Sequence, residues 1–476
     1  MVQTYHAVPV SAEPNDVDDG RADEHEGSAL LGDRASTTGL AASDTHKEGH
    51  ATLTSSVGNL ANTIIGSGML TFPRALASAG IIPGMLTCVF SGAVGGFGLY
   101  LLSACARKAP HRRTSFFAVA SLTFPRAAVF FDAAIAIKCF GVSSSYLIII
   151  KSLLPNVVAS LYHDLTPPDI NPPEWALSGR VWISLLMVVL LPLSFLRRLD
   201  SLRHTSYIAL FSCAYLVLIV IVCYFRPLKG MVPPGEIHLI KFTPSFISTF
   251  PIQVFAFTCA QNLFPIFNEL KANSQKRMNI VIGTAIGSAT VSYEIIAVFG
   301  YLTFGTHVGA NIIAMYPSTS LFIAVGQLAI AILVLFSYPL QVHPCRNCLD
   351  KVFHFGSTTD KFGHEGVEDE HGAGDMTPLK HTVLTAAVVA GTFSIAYFVD
   401  NLEMVLSFVG ATGSTTISFI LPGLFYWKLT KDDPNRNKLL NTGALALICY
   451  GFLILIFCLS YNIYNIVHPT GGTGLA

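Results

Sequence analysis

Two short strings, each set in the middle of a long apolar segment, hold the residue types that could grip a small charged molecule inside a membrane. The first is Asn59-Leu60-Ala61-Asn62-Thr63-Ile64-Ile65-Gly66-Ser67-Gly68-Met69-Leu70-Thr71-Phe72-Pro73, and the second is Phe257-Thr258-Cys259-Ala260-Gln261-Asn262-Leu263-Phe264-Pro265. Proline removes a backbone donor, and glycine tolerates an unwound backbone and close approach. Where a helix restarts after a break, its first amides have no intrahelical partner and carry partial positive charge, which suits a carboxylate. Carbonyls freed on the other side can accept from an ammonium or coordinate a cation. A zwitterionic amino acid matches both ends. The candidates for binding it are Asn62, Thr63, Gly66, Ser67, Gly68, Met69, Phe257, Thr258 and Cys259. The amides around Ser67, Gly68 and Met69 would take the carboxylate; carbonyls near Asn62, Thr63 and 257–259 would take the ammonium. One such string alone reads equally as a kink or a small-residue packing seam. Matching breaks in two halves of a chain point instead to the substrate site of a secondary transporter.

Several further residues bear on coupling and gating. An ionisable group inside a membrane segment is costly and is by default a functional candidate. Lys138 and Glu294 lie roughly 18 and 24 Å into their segments at the helical rise, within reach of each other across a bundle. Glu294 is a candidate carrier of a coupled proton, Lys138 a counter-charge for an acidic substrate side chain, and a structural ion pair between them is the plainer alternative. Gln261 and Asn262 would hold the second break in shape, and Arg74 could close an outer gate. Ser337, with Tyr338, offers the few hydroxyls a sodium site would need on that segment. Cys345 and Cys348 form one CxxC beside His343, but without a second pair no metal site is expected. Asp132 and Lys151 sit near segment ends, where they can reach the interface.

These residues need a membrane scaffold, and the composition supplies one. Of 476 residues, 52% are apolar and 12% charged, about half the charged share of soluble domains. By the roughly 20-residue ruler there are eleven spans: 52–79, 81–106, 127–153, 180–196, 204–225, 246–270, 279–304, 317–343, 382–399, 402–427 and 441–462. With a cytosolic N-terminus, the cytosolic loops carry 19 lysines and arginines and the opposite loops 4. The positive-inside rule then predicts N-in and C-out. Trp175, Trp182 and Trp427 fall at the expected interfaces. The expected organisation is a disordered acidic cytosolic tail (1–50), a transmembrane domain (51–465) with a disordered cytosolic loop (346–380), and a short non-cytosolic tail (466–476). No apolar run opens the chain, so the first span is expected to target it. In the tail, Glu26, Leu30 and Leu31 fit an acidic dileucine sorting signal read by an adaptor.

The string NLANTIIGSGMLTFP resembles the first helix of the amino acid/auxin permease family. Residues 192–206, 293–305, 336–346 and 405–427 extend the resemblance, which covers 53 to about 460 and is closest to fungal vacuolar amino acid transporters. It implies an all-α integral membrane fold of the leucine-transporter (LeuT) type, two inverted five-helix repeats plus an eleventh helix. It also implies secondary amino acid transport at the vacuolar membrane, coupled to protons or less readily to sodium, with no cofactor. Two positions depart from it. Ala260 stands where relatives usually carry histidine, and Lys151-Ser152 stands where they tend to carry Gly-Asp.

Other classes find less support. There is no HExxH, G-x-S-x-G or paired-aspartate motif for an enzyme, no repeated filter loop for a channel, and nothing that would bind nucleic acid. A sodium-coupled plasma-membrane importer and an amino acid sensor with little turnover remain the alternatives.

Overall fold

The computed structural model describes residues 49–108, 114–167, 172–196, 205–354, 377–434 and 436–468. The dileucine string at Glu26, Leu30 and Leu31 lies outside them. The helices run, in order, α1 (Leu53–Ile64), α2 (Phe72–Ala79), α3 (Ile81–Ala106), α4 (Phe116–Thr123), α5 (Ala128–Leu165), α6 (Gly179–Ser194), α7 (Thr205–Phe225) and α8 (Phe246–Ala256). They continue as α9 (Leu263–Glu269), α10 (Gln275–Phe304), α11 (Leu321–His354), α12 (Pro378–Phe398), α13 (Leu402–Val409), α14 (Leu421–Thr430) and α15 (Lys438–Val467). Among the described residues the only β pairing is an isolated bridge between Ala51 and Leu270, which ties the start of α1 to the end of α9. Nine helical stretches among the described residues are long and apolar enough to cross a membrane, with α8–α9 and α13–α14 each counting once. The other two expected spans are a helix interrupted after Ile64 and the 16-residue α6.

Local chemistry sets the helix ends. The Thr52 hydroxyl accepts from the Ser55 amide at the head of α1, and Asn401 and Asn437 do the same for α13 and α15, satisfying otherwise orphaned amides. Pro73 sits in the first turn of α2, where a missing N–H costs nothing. The outward faces of α3 and α15 carry Leu86, Val89, Phe90, Leu453, Ile456 and Phe457 in the open, as a surface against lipid requires.

The 38-residue α5 runs through the protein with α11 packed along it and α6, α12 and α13 around it. A second group gathers α1, α2, α3 and α7 on α10, and α8 lies against α2, α3 and α13. These two groups position the site.

Three features differ from the sequence expectation. Helix α11 continues through His354, so residues 346–354 of the expected loop are helical. Arg346, only 1% exposed, ties α11 to α6 and α12, donating to the Ser194 carbonyl at 3.2 Å and the Thr385 hydroxyl at 3.1 Å. Between α13 and α14, residues 410–414 and 416–420 form π-helix, a third irregularity that no proline marks. Lys151 does not reach for the interface but folds back on the end of α12. Its ammonium meets the Ala396 carbonyl at 2.6 Å, the Tyr397 and Val399 carbonyls at 3.2 and 3.3 Å, and Asp400 at 2.6 Å. A cation at a helix C-terminus satisfies its last carbonyls. Lys151→Met, which keeps the bulk, is therefore expected to cost about 1–3 kcal/mol of stability, read as a lower thermal unfolding midpoint in detergent.

Candidate functional site

Both strings are broken where the sequence placed the breaks. Helix α1 stops at Ile64, Ile65 and Gly66 are extended, and a 3-10 turn at Ser67–Thr71 leads into α2. Helix α8 stops at Ala256, and a 3-10 turn at Ala260–Asn262 leads into α9. The breaks face each other so closely that a Cβ on Gly68 would stand 2.7 Å from the Ala256 Cβ.

Between them and α5 lies a cavity of about 20 Å³, walled by Thr63, Ile64, Gly66, Ser67, Gly68, Lys138, Val142, Tyr146, Phe255, Ala256, Thr258 and Gln341. That is room for about one water molecule, so an amino acid fits only after the walls move. The structure brings Thr63, Gly66, Ser67, Gly68 and Thr258 to this cavity, together with Lys138. Asn62, Met69, Phe257 and Cys259 are not in its wall; Met69 and Cys259 are fully buried in packing, and the Phe257 ring meets Phe72 and Tyr293 edge-on.

Hydroxyls knit the breaks to their surroundings. Ser67 and Ser145 face each other at 3.5 Å. Thr258 donates to the Val254 carbonyl at 3.0 Å and accepts from Ser418, in the π-helical stretch, at 3.3 Å. Asn262 donates to the Thr63 hydroxyl at 2.8 Å, joining one break to the other, while the Gln261 side-chain oxygen is buried without a hydrogen-bond partner among the described residues. Asn59 and Asn262 are exposed on the α1-start side of the cavity.

Lys138 is 3% exposed and donates only to the neutral Gln341 amide oxygen, at 3.3 Å; no ion pair holds it among the described residues. The possible pair with Glu294 is not formed. Glu294 lies half-buried against Cys88 of α3, its carboxylate meeting the Cys88 thiol. A helix turns about 100° per residue, so Tyr293 faces the breaks where Glu294 faces α3. Ser337 is not in the cavity wall, and the Tyr338 hydroxyl is engaged with Thr392 at 2.7 Å. Arg74 pairs with Glu403 at 3.2 Å and donates to the Val308 carbonyl at 3.4 Å, fastening α2 to α13. Beside it a larger cavity, about 260 Å³, is lined by Ser152, Asn311, Asp400, Asn401 and their neighbours. Cys345 and Cys348 are buried, Cys345 donating to the Ala136 carbonyl, and no cluster of metal-ligating side chains occurs among the described residues.

Sequence reasoning missed Ile64, Gln341, Val142, Tyr146, Phe255 and Ala256 as wall residues, and it missed Tyr293. That side chain is fully buried; its hydroxyl lies 2.7 Å from the Ile64 carbonyl and 3.2 Å from the Ala256 carbonyl, the last residues of α1 and α8.

Membrane-length helices with two of them unwound face to face around a small polar cavity define a helical membrane transporter. The profile described as transmembrane amino acid transporter protein matches residues 49–464, and the chain belongs to that family. It is accordingly a transporter and not an enzyme. It is 43% identical over 431 residues to vacuolar amino acid transporter 5 of Schizosaccharomyces pombe, covering 88% of this chain and 96% of the relative. Vacuolar amino acid transporters 6 and 5 of Saccharomyces cerevisiae are 34% and 33% identical, each alignment covering 86% of this chain and 98% and 97% of the relatives.

Proposed function

We propose that the protein carries amino acids across the vacuolar membrane, lumen to cytosol, as a proton-coupled secondary transporter. The observation that carries this reading is the meeting of the two breaks. The restarted amides after Gly66 and the freed carbonyls of Ile64 and Ala256 flank one cavity, giving opposite poles for a zwitterion. The relatives' names supply the vacuolar membrane and the substrate class.

The finer architecture we assign is eleven spans in two inverted five-helix repeats plus one, with α1–α2 and α8–α9 as corresponding broken helices. The N-terminus lies in the cytosol and the C-terminus in the lumen. The exposed amides Asn59 and Asn262 then line a cytosolic water path, since lipid would leave them unsatisfied. On the lumenal side, Arg74–Glu403 and the Thr71 hydroxyl, which donates to the Ala310 carbonyl at 2.8 Å, seal the path. The bundle of α1–α2, α3, α8–α9 and α10 rocks against the α5, α6, α11 and α12 group to open the other side.

Proton coupling is favoured over sodium because Lys138 stands in the cavity and Ser337 and Tyr338 do not supply it with hydroxyls. An acidic lumen supplies about 1.4 kcal/mol per pH unit for each proton, and membrane potential about 2.3 kcal/mol per 100 mV for each charge. Glu294 is the proton carrier we assign, and Glu26, Leu30 and Leu31 the adaptor-read sorting signal.

Uptake of labelled amino acids into liposomes under separately imposed proton and sodium gradients tests the reading. Proton-driven accumulation is expected; sodium dependence, or binding without uptake, overturns it. In Glu294→Gln, the roughly tenfold accumulation that one pH unit sustains per proton is expected to disappear while amino acid exchange across the membrane persists.

A further inference from the structure

Among the described residues, the hydroxyl of Tyr293 is the one side-chain group hydrogen-bonded to the terminal carbonyls of both broken helices. In an unbroken helix the Ile64 carbonyl would accept from the amide four residues on, and so would Ala256. The breaks remove those partners. Tyr293 lies across the two ends, held by Phe72 stacked at 4.6 Å and by the Phe257 edge at 5.3 Å. A phenol has one proton, and it is set between two acceptors at 2.7 and 3.2 Å. Both carbonyls keep unused acceptor capacity. Ile64 and Ala256 also wall the central cavity, while Tyr293 approaches them from outside it.

We infer that Tyr293 is a positioning residue that holds the amino-group subsite in the absence of substrate and yields it to the substrate's ammonium. The inference rests on the amino acid reading of the cavity given above. An ammonium brings three donors and charge-assisted bonds, roughly twice as strong as those of a neutral hydroxyl. It therefore replaces the shared phenolic proton and unfastens α1 and α8 together from α10, the helix on which both breaks are tied. Substrate arrival and helix release become one event. A carboxylic acid without the amino group can occupy the opposite pole but has nothing with which to displace Tyr293.

The test compares equilibrium binding of a transported amino acid to wild-type protein, Tyr293→Phe, and protein with 3-fluorotyrosine incorporated at position 293, all in detergent. Removing the hydroxyl leaves the two carbonyls unpaired only in the substrate-free state, so Tyr293→Phe is expected to bind roughly threefold to tenfold more tightly. Fluorination strengthens the phenol as a donor and is expected to weaken binding, with the ring and its packing preserved. The corresponding deamino acid, measured as a competitor, should show the same inhibition constant on all three proteins. Unchanged or weaker binding by Tyr293→Phe, or a gain shared equally by the deamino acid, overturns the inference and leaves the transporter reading intact. If Tyr293→Phe does not fold, the direction of the fluorotyrosine shift decides alone. A wild-type protein that binds no amino acid overturns the transporter reading and this inference together.

Discussion

Gly68→Ala is expected to abolish transport, and Gly66→Ala to leave most of it. The two glycines stand two residues apart in one break, yet only one is closely confronted. A Cβ at 68 would meet the Ala256 Cβ at 2.7 Å and its Cα at 2.9 Å, which are parts of α8 that cannot swing aside. A Cβ at 66 finds only the Tyr146 hydroxyl at 3.8 Å and the Ile64 carbonyl at 4.0 Å, ordinary contact distances. Gly66 has φ −159°, an extended backbone that any residue adopts. Overpacking of a close contact costs typically about 1–3 kcal/mol, here paid by pushing apart the two breaks whose amides and carbonyls flank the cavity. Misplacement by about 1 Å can cost about a hundredfold in a bound reaction geometry, and a comparable loss of uptake is expected for Gly68→Ala, with larger loss for Gly68→Leu. Both variants should fold and reach the membrane. Initial uptake rates normalised to protein in liposomes measure this; equal activity of the two alanine variants would contradict the placement of the site.

Much of this site was legible because the breaks are written in side chains. Glycine, proline, serine and asparagine stand out in apolar segments, and Thr63, Gly66, Ser67, Gly68 and Thr258 do reach the cavity. What was not legible is backbone chemistry. Ile64 and Ala256 contribute carbonyls, and nothing about isoleucine or alanine announces a free carbonyl. Helix rotation hid the rest: Glu294 drew notice for its charge, whereas its silent neighbour Tyr293 is the residue turned toward the breaks. The same rotation decides that Lys138 meets Gln341 and not a carboxylate. The π-helical stretch after Val409 has no proline within it, and its glycines serve contact instead. A Cβ on Gly413 would meet the Ala134 carbonyl and the Lys138 backbone, at 2.7 and 2.8 Å. Lys151, read as a charge near a segment end that reaches for the interface, is instead a helix cap because its acceptors are the carbonyls ending α12 and the carboxylate of Asp400.

Lys138→Met is expected to make the protein more stable and a worse transporter, with the loss falling hardest on amino acids that carry a second carboxylate. A buried ammonium whose only hydrogen bond among the described residues is to a neutral amide oxygen at 3.3 Å is a liability in a membrane interior, where lipid gives no compensation. Removing a buried charge that no opposite charge compensates relieves its desolvation cost, so the thermal unfolding midpoint should rise. A charge retained at that cost is explained when the substrate brings the opposite one. The poles of the two breaks already accommodate the α-ammonium and α-carboxylate, which leaves Lys138 for a side-chain carboxylate. Hydrogen bonds to charged groups contribute about 1.5–3 kcal/mol, so dicarboxylic substrates should lose roughly tenfold to a hundredfold in uptake efficiency, and neutral ones far less. Competition by aspartate, glutamate, asparagine and glutamine against one labelled substrate separates the two groups. If all four lose equally, Lys138 answers to the α-carboxylate or to the breaks themselves. If the midpoint falls, the ammonium is a structural strut through Gln341, and α5 and α11 are what it serves.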